Sequence, residues 1–184
     1  MAEIKSTLDL VMEKTKGLVQ SEEEKKEIQA QERRNRARSL LLQLKEGRIK
    51  PDKLAGALAQ WGEEEAAFIK PVFFKLLLES IALGEDNSVF LDGIKALSAS
   101  PGDDAAKDIE AILKEYDRSI IDLAFIYRKK LLQELESRGI SGSAVVPKVD
   151  RDPAWAKARK EIRDRFEARL NRARALLVEK IQPA

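Results

Sequence analysis

The chain has 184 residues, of which 43% are apolar and 36% are charged, and its formal net charge is +2. A single domain of this length buries enough apolar surface to fold without a metal ion or a disulfide. The sequence contains no His and no Cys, which excludes imidazole bases, catalytic triads, thiolate nucleophiles and His/Cys zinc sites. We therefore expect no catalytic residue, no metal site and no cofactor.

The charge is distributed unevenly along the chain. Residues 1–50 carry 12 basic and 9 acidic side chains, residues 51–152 carry 13 and 19, and residues 153–184 carry 9 and 4. The two ends are therefore basic and the middle is acidic, so the middle is a candidate partner for both ends.

The N-terminal region, residues 1–47, is predicted to hold two helices. The first, over residues 2–16, is short and amphipathic, with its apolar residues on one side. The second begins after Ser21, because the sequence Ser-Glu-Glu-Glu is a capping box, and it ends before Gly47.

The second helix carries the densest basic run of the chain. The candidate nucleic-acid contacts in it are Arg33, Arg34, Arg36 and Arg38. Clustered arginines neutralise phosphates and release counterions. At about 100° per residue these four spread over roughly 200° of the helix surface, and no aromatic residue lies between them to stack on bases. A solvated or ion-paired face is therefore favoured over phosphate contact.

Residues 48–62 are predicted to form a short helix and residues 63–83 a longer one. Pro71 lies inside the longer helix and lacks an amide donor, so we expect a kink or a fresh helix start there. Apolar residues occupy every side of its second half, which predicts neighbours all round it. Asp86 or Asn87 is expected to cap a further short helix.

Residues 103–138 are predicted to form one long helix, along which apolar residues recur at steps of three and four. Seven of the eight residues from 120 to 127 are apolar. We therefore expect the centre of this helix to be covered on more than one side, with residues 68–83 as its main neighbour.

Two kinds of side chain in these apolar stretches have a structural and a functional interpretation. Helical spacing alone predicts that the phenylalanines are core residues rather than a ligand box; these are Phe68, Phe73, Phe74, Phe90 and Phe125. Asp122 lies inside the apolar run, so we expect it to be buried in an ion pair or hydrogen bond with Arg118 or Tyr127 rather than to form a site.

Residues 139–152 are predicted to be a linker, because Gly and Ser open the stretch and Pro147 interrupts it. Fully extended, such a linker reaches about 45 Å. Asp152 and Pro153 then predict the start of a C-terminal helix. Its apolar stripe, with arginines on both sides, provides the candidate interaction residues Trp155, Ile162, Phe166, Leu170, Leu177, Arg159, Arg163 and Arg169.

This stripe predicts docking in an apolar groove with acidic banks, which the middle of the same chain offers. Because the linker is long, the helix is able to dock on its own subunit, which is favoured, or on a neighbour in a swapped dimer. Binding of RNA or an anionic membrane through its arginines is disfavoured, because Glu161, Asp164 and Glu167 dilute the positive charge.

Together these elements predict an all-α protein, an irregular bundle of about six or seven helices around the long helix, with amphipathic terminal helices. The predicted divisions are N-terminal helices in 1–47, a central bundle in 48–138, a linker in 139–152 and a C-terminal helix in 153–184, within one compact domain. We expect a non-enzymatic interaction or scaffold protein that forms a homo-oligomer, a dimer, through its terminal helices. The alternative is a nucleic-acid-associated protein that uses the Arg-rich helices. No stretch is suited to a secretion signal or a membrane span, so we expect a cytoplasmic protein.

Overall fold

The computed structural model describes residues 21–98 and 104–181. Six α-helices and no strand occur in these ranges, which confirms the all-α prediction. The helices are α1 (Glu22–Lys45), α2 (Leu54–Ala59), α3 (Glu63–Ser80), α4 (Ser88–Leu97), α5 (Asp104–Ser137) and α6 (Pro153–Ile181), with 3₁₀ turns at Pro51–Lys53 and Val149–Arg151. The helix predicted for residues 2–16 lies outside the described residues.

Several helix ends form as the sequence predicts. The Ser21 hydroxyl accepts the Glu24 amide at 3.1 Å, and the Glu24 carboxylate accepts the Ser21 amide at 2.9 Å, which completes the capping box of α1. The Asp152 carboxylate accepts the Ala154 amide at 2.8 Å at the start of α6. Gly139, with φ of 75°, follows α5 in the left-handed region that glycine tolerates best.

The connection from α3 to α4 differs from the prediction. α3 continues through Pro71 without interruption, so a fresh helix start there is wrong. Asn87 does not cap α4 with its side chain. Instead its buried amide accepts the Ala82 N–H and donates to the carbonyls of Ala82 and Glu85, all at 2.8 Å. A buried amide with these three bonds fixes the turn between the helices.

The main core lies between α1, α2, α3 and α4, and α3 is its centre. Ile69, Phe73 and Leu77 of α3 are all 0% exposed. The principal neighbour of α3 is α1, which packs along it through Ala37, Leu40 and other buried residues, and α2, α4 and α6 also contact it. The prediction that α3 packs on the centre of α5 is therefore wrong, because periodicity shows how much of a helix is apolar but does not identify its partner.

The two halves of α5 have different surroundings. The first half belongs to the core, where Ile109 and Tyr116 are buried. The second half extends away from α1 and α2 and is accompanied by the linker and by the first half of α6. We call this extension, residues 117–165, the arm. The prediction that the centre of α5 is covered on more than one side is wrong, because side chains there are largely exposed: Ile121 67%, Phe125 70% and Ile126 60%.

Replacing Leu170 by Ala tests whether α6 is an integral part of this fold. Leu170 is 0% exposed, so the substitution leaves a cavity and we expect the free energy of unfolding to fall by about 2 to 5 kcal/mol. Leu176→Ala on the same helix is the matched control, because Leu176 is 56% exposed and should cost at most about 0.5 kcal/mol. Urea unfolding followed by circular dichroism measures both, and equal losses would show that α6 is not docked as described.

Candidate interaction surface

The C-terminal helix α6 packs antiparallel along α5 of the same chain. Two edge-to-face ring pairs join them, Tyr116 with Phe166 and Tyr127 with Trp155, each with ring centroids 5.7 Å apart. Both pairs are separated by eleven residues on each helix, which is about three helical turns, so they fall on one face of α5 and one face of α6. The Tyr127 hydroxyl also donates to the Ala154 carbonyl at 3.1 Å. In this structure the helix docks within its own chain.

This packing occupies the apolar residues that the sequence proposes as an interaction stripe. Four of them are buried and Ile162 is half-buried; the buried ones are Trp155, Phe166, Leu170 and Leu177. Of the flanking arginines, Arg169 binds Glu115 of α5 at 2.7 Å and lies 5.0 Å from the Phe166 ring centroid. Arg159 and Arg163 are exposed and form no ion pair with the described residues. The stripe is therefore not an open surface.

Arg174 gives α6 a second attachment, which the sequence does not reveal. Its guanidinium donates to the Ile81 carbonyl just after α3, and to Asn171 at 2.7 Å. The Nε atom of the same side chain is buried without a hydrogen-bond partner among the described residues. Arg174 thus ties the second half of α6 to the bundle.

The four arginines of α1 divide into two pairs with different environments. Arg33 and Arg36 both bind Glu65 of α3, at 3.4 and 3.2 Å, and Arg33 lies 4.0 Å from the centroid of the Phe68 ring. Phe68 remains 49% exposed beneath that guanidinium, so its assignment to the core is wrong. These two arginines are structural, since they hold α1 against the first turns of α3.

Arg34 and Arg38 form the other pair and line a groove of about 220 Å³ between α1 and α3. Lys75 lies across the groove, and Glu79 is the one carboxylate that lines it. Neither arginine has an acidic residue three or four positions away, and neither forms an ion pair with the described residues. Two like charges four residues apart on a helix repel each other, so this surface favours an anion.

The arm carries a larger groove, of about 770 Å³, between α5 and the returning linker. Its apolar lining includes Ile121 and Phe125 from α5, Val146 from the linker and Trp155 from α6. Trp155 is buried at 6% exposure, whereas Val146 is 69% exposed. The basic residues Arg128, Lys148 and Arg151 and the single acid Asp150 line the rest. The linker is therefore folded back along α5 rather than being extended.

Ile121 and Phe125 also belong to a face of α5 that no helix among the described residues covers, and we call this face the arm stripe. Its members recur at steps of three and four; they are Lys114, Asp117, Ile121, Phe125, Arg128 and Leu132. All are exposed except Leu132, which is half-buried. A coiled-coil strand has this spacing, with apolar residues at the centre of its contact face.

Sequence reasoning predicts Ile121 and Phe125 in the core and so misses this face. Two signals of solvent exposure are present beside them. Asp122 interrupts the apolar run, and three cations follow it closely at Arg128, Lys129 and Lys130. Asp122 is exposed, so its expected burial is also wrong.

The acidic and basic side chains of the described residues supply candidate metal ligands and titrating groups. No three carboxylates there lie close enough together to hold a metal ion. The pKa shifts that do occur belong to surface groups: a hydrogen bond to Glu110 raises the pKa of Lys95, one to Asp164 raises the pKa of Lys160, and hydrogen bonds from Ser88 lower the pKa of Asp86. In each case the pKa shift is caused by a hydrogen bond to a neighbouring group on the protein surface.

No family model, no curated protein and no solved structure matches the chain. Among the helices in the described ranges, none combines the length and apolar content needed to cross a bilayer. The cytoplasmic location stays a prediction.

Substitutions of two residues that line the arm groove test its architecture. Trp155→Ala removes a buried ring that contacts Tyr127, and we expect the free energy of unfolding to fall by about 3 kcal/mol. Phe125→Ala removes a ring that is 70% exposed, and we expect a change of at most about 0.5 kcal/mol in the monomer. Urea unfolding at low protein concentration measures both. A large loss for Phe125→Ala would contradict the exposed position of that ring.

Proposed function

We propose that this protein is a non-enzymatic helical interaction or scaffold module that self-associates, and that the arm stripe is its contact surface. The observation that supports this most directly is the exposure of Ile121 and Phe125, which lie one helical turn apart on α5. Val146 extends the same apolar surface onto the linker. Contiguous exposed apolar groups rimmed by charges are typical of protein interaction sites.

The arm stripe is a better candidate than the terminal helices. The apolar side of α6 is buried against α5, so α6 has to leave its own chain before it is able to bind another. Breaking that packing would expose two ring pairs and several buried leucines at a cost of several kcal/mol. The arm stripe requires no such rearrangement, because within residues 21–98 and 104–181 it is already exposed. Self-association through it leaves the fold of each subunit unchanged.

Nucleic-acid association is the second candidate, and the groove of Arg34, Arg38 and Lys75 is the observation that favours it. The three cations outnumber the single Glu79, and the arginine guanidinium is able to bind a phosphate group through two parallel hydrogen bonds. Arg33 and Arg36 contribute little to such binding, because Glu65 already neutralises part of their charge. This candidate therefore depends on half of the basic run.

The solution mass tests self-association. The chain alone has a mass of 20.7 kDa, and we expect sedimentation velocity to show a larger, concentration-dependent species. Phe125→Ser should shift the equilibrium towards the monomer, because it removes the largest apolar group of the arm stripe. Leu176→Ser is the matched control, since Leu176 is an exposed apolar residue on α6 outside the stripe and should leave the mass unchanged. A wild-type monomer over the whole accessible concentration range would rule out the proposal.

Salt-dependent binding to a short RNA or DNA duplex tests the second candidate. If it is correct, Arg34→Ala/Arg38→Ala should reduce the slope of log K against log salt by about 2, one for each lost phosphate contact. Arg33→Ala/Arg36→Ala removes the same formal charge but should change the slope less, because those arginines bind Glu65. Equal effects of the two double variants would indicate a nonspecific charge effect.

A further inference from the structure

We infer that the groove between α1 and α3 binds one phosphate group of an organic phosphomonoester, with Arg34 and Arg38 on one wall and Lys75 on the other. This inference rests on the anion binding that the second candidate function assigns to the groove, and it names the anion. It does not depend on self-association. Four observations on the described residues support it.

The first observation is the charge of the groove. Three cations line it, from Arg34, Arg38 and Lys75. Glu79 is the one carboxylate among the described residues that line it, so the formal charge of the lining is +2. A phosphomonoester carries a charge of about −1.5 to −2 at pH 7, whereas each phosphodiester of a nucleic-acid backbone carries one negative charge. The monoester therefore neutralises the groove more completely than the diester does.

The second observation is that these cations are available to a ligand. Arg34 and Arg38 form no ion pair with the residues that the structure describes. They lie one helical turn apart, with about 6 Å between their Cβ atoms, so both guanidinium groups are able to reach one phosphate. The Lys75 ammonium lies 4.0 Å from the Glu79 carboxylate, and both side chains are exposed. Such a surface pair is weak, so Lys75 is also free to bind an anion.

The third observation is the size and the apolar part of the groove. Its volume of about 220 Å³ is below the roughly 300 to 1,000 Å³ of pockets that enclose a drug-sized ligand. It therefore suits a single small group. Val72 and Leu76, both half-buried, line it beside the cations. They offer the organic part of an ester an apolar contact, which inorganic phosphate is unable to use.

The fourth observation is that the positive charge does not continue as a track for a nucleic-acid backbone. On the same face of α1, Glu27 lies two turns before Arg34. The next cation after Arg38 on that face is Lys45, two turns further on, and its ammonium lies 5.6 Å from the centroid of the Phe90 ring. No aromatic residue is among the described residues that line the groove, so none is placed to stack on a base. The groove thus offers contacts for one phosphate rather than for several in succession.

Isothermal titration calorimetry with phenyl phosphate at low salt tests the site. We expect one ligand to bind per chain and Arg34→Ala/Arg38→Ala to weaken binding roughly tenfold or more, because charge-assisted hydrogen bonds are lost. Arg159→Ala/Arg163→Ala is the matched control. These arginines have the same spacing on α6, are exposed and form no ion pair with the described residues, so the control should leave the affinity nearly unchanged. Equal losses in both double variants would contradict a site in the groove, and circular dichroism checks that each variant is folded.

Arg34→Lys/Arg38→Lys separates specific binding from a diffuse charge effect. This variant keeps both charges but loses the two-pronged guanidinium geometry, so we expect weaker binding than in the wild type. An affinity equal to that of the wild type would show that phosphate is attracted only by charge and is not held in the groove.

The pH dependence tests the choice of a monoester. A phosphomonoester has a second pKa of about 6, so phenyl phosphate loses charge as the pH falls through that value. The chain contains no His, the side chain that ordinarily titrates in this range. We expect the affinity for phenyl phosphate to fall with pH, and methyl phenyl phosphate, a diester, to bind more weakly at neutral pH without this dependence. Equal binding of the two esters at neutral pH would overturn the preference for a monoester.

A short DNA duplex with and without 5′-phosphates identifies the source of the phosphate. If the groove takes a nucleic-acid end, the phosphorylated duplex binds more tightly and Arg34→Ala/Arg38→Ala removes the difference. If phenyl phosphate binds and the two duplexes do not differ, the inference holds and the ligand is a small ester.

The remaining outcomes separate this inference from the proposed functions. If both duplexes bind equally and phenyl phosphate does not bind, the inference is wrong and the nucleic-acid candidate stands. If neither duplex nor phenyl phosphate binds, both are wrong. Self-association is decided separately by the solution mass.

Discussion

The packing of α6 along α5 is the interaction on which the rest of the molecule depends. Its two ring pairs lie eleven residues apart on both helices, so three turns of each helix stay in register. This register aligns the ion pair of Arg169 with Glu115 and brings Arg174 to the Ile81 carbonyl after α3. A single antiparallel contact thus closes the bundle at one end and supports the arm at the other. Without α6, the linker would be the only described segment beside the second half of α5.

Because α6 packs on one side of α5, the opposite side of the second half of α5 stays exposed. A helix that packs against one neighbour buries one stripe, and residues beyond that stripe stay in water. Ile121 and Phe125 lie beyond it, and the returning linker contributes Val146 to the same surface instead of covering it. The apolar content of the arm therefore exceeds what its own packing uses. An interaction surface accounts for this excess more simply than a stability role does, because exposed rings add little to folding free energy.

Local features of the sequence predict where the helices begin and end. They do not predict which helix packs against which. The Ser21 capping box, the Asp152 cap and the glycine after α5 depend on neighbours within a few residues, and each forms as predicted. The main partner of α3 is α1 rather than α5. This choice depends on contacts between residues far apart in the chain, and an apolar pattern within one helix does not identify them. The same limit explains why the spacing wrongly predicts Phe125 in the core. Its apolar neighbours indicate burial, and only the path of α6 shows that the available cover lies on the other side.

The charge distribution connects the fold to the proposed function. The basic ends and acidic middle meet inside the chain, through Arg33 and Arg36 with Glu65 and through Arg169 with Glu115. These pairs partly neutralise three arginines that would otherwise attract phosphates, and the net charge of +2 leaves little repulsion between copies. A nearly neutral molecule with an open apolar stripe associates with itself more readily than a strongly charged one. Ion pairing within the chain therefore disfavours nucleic-acid binding and favours self-association.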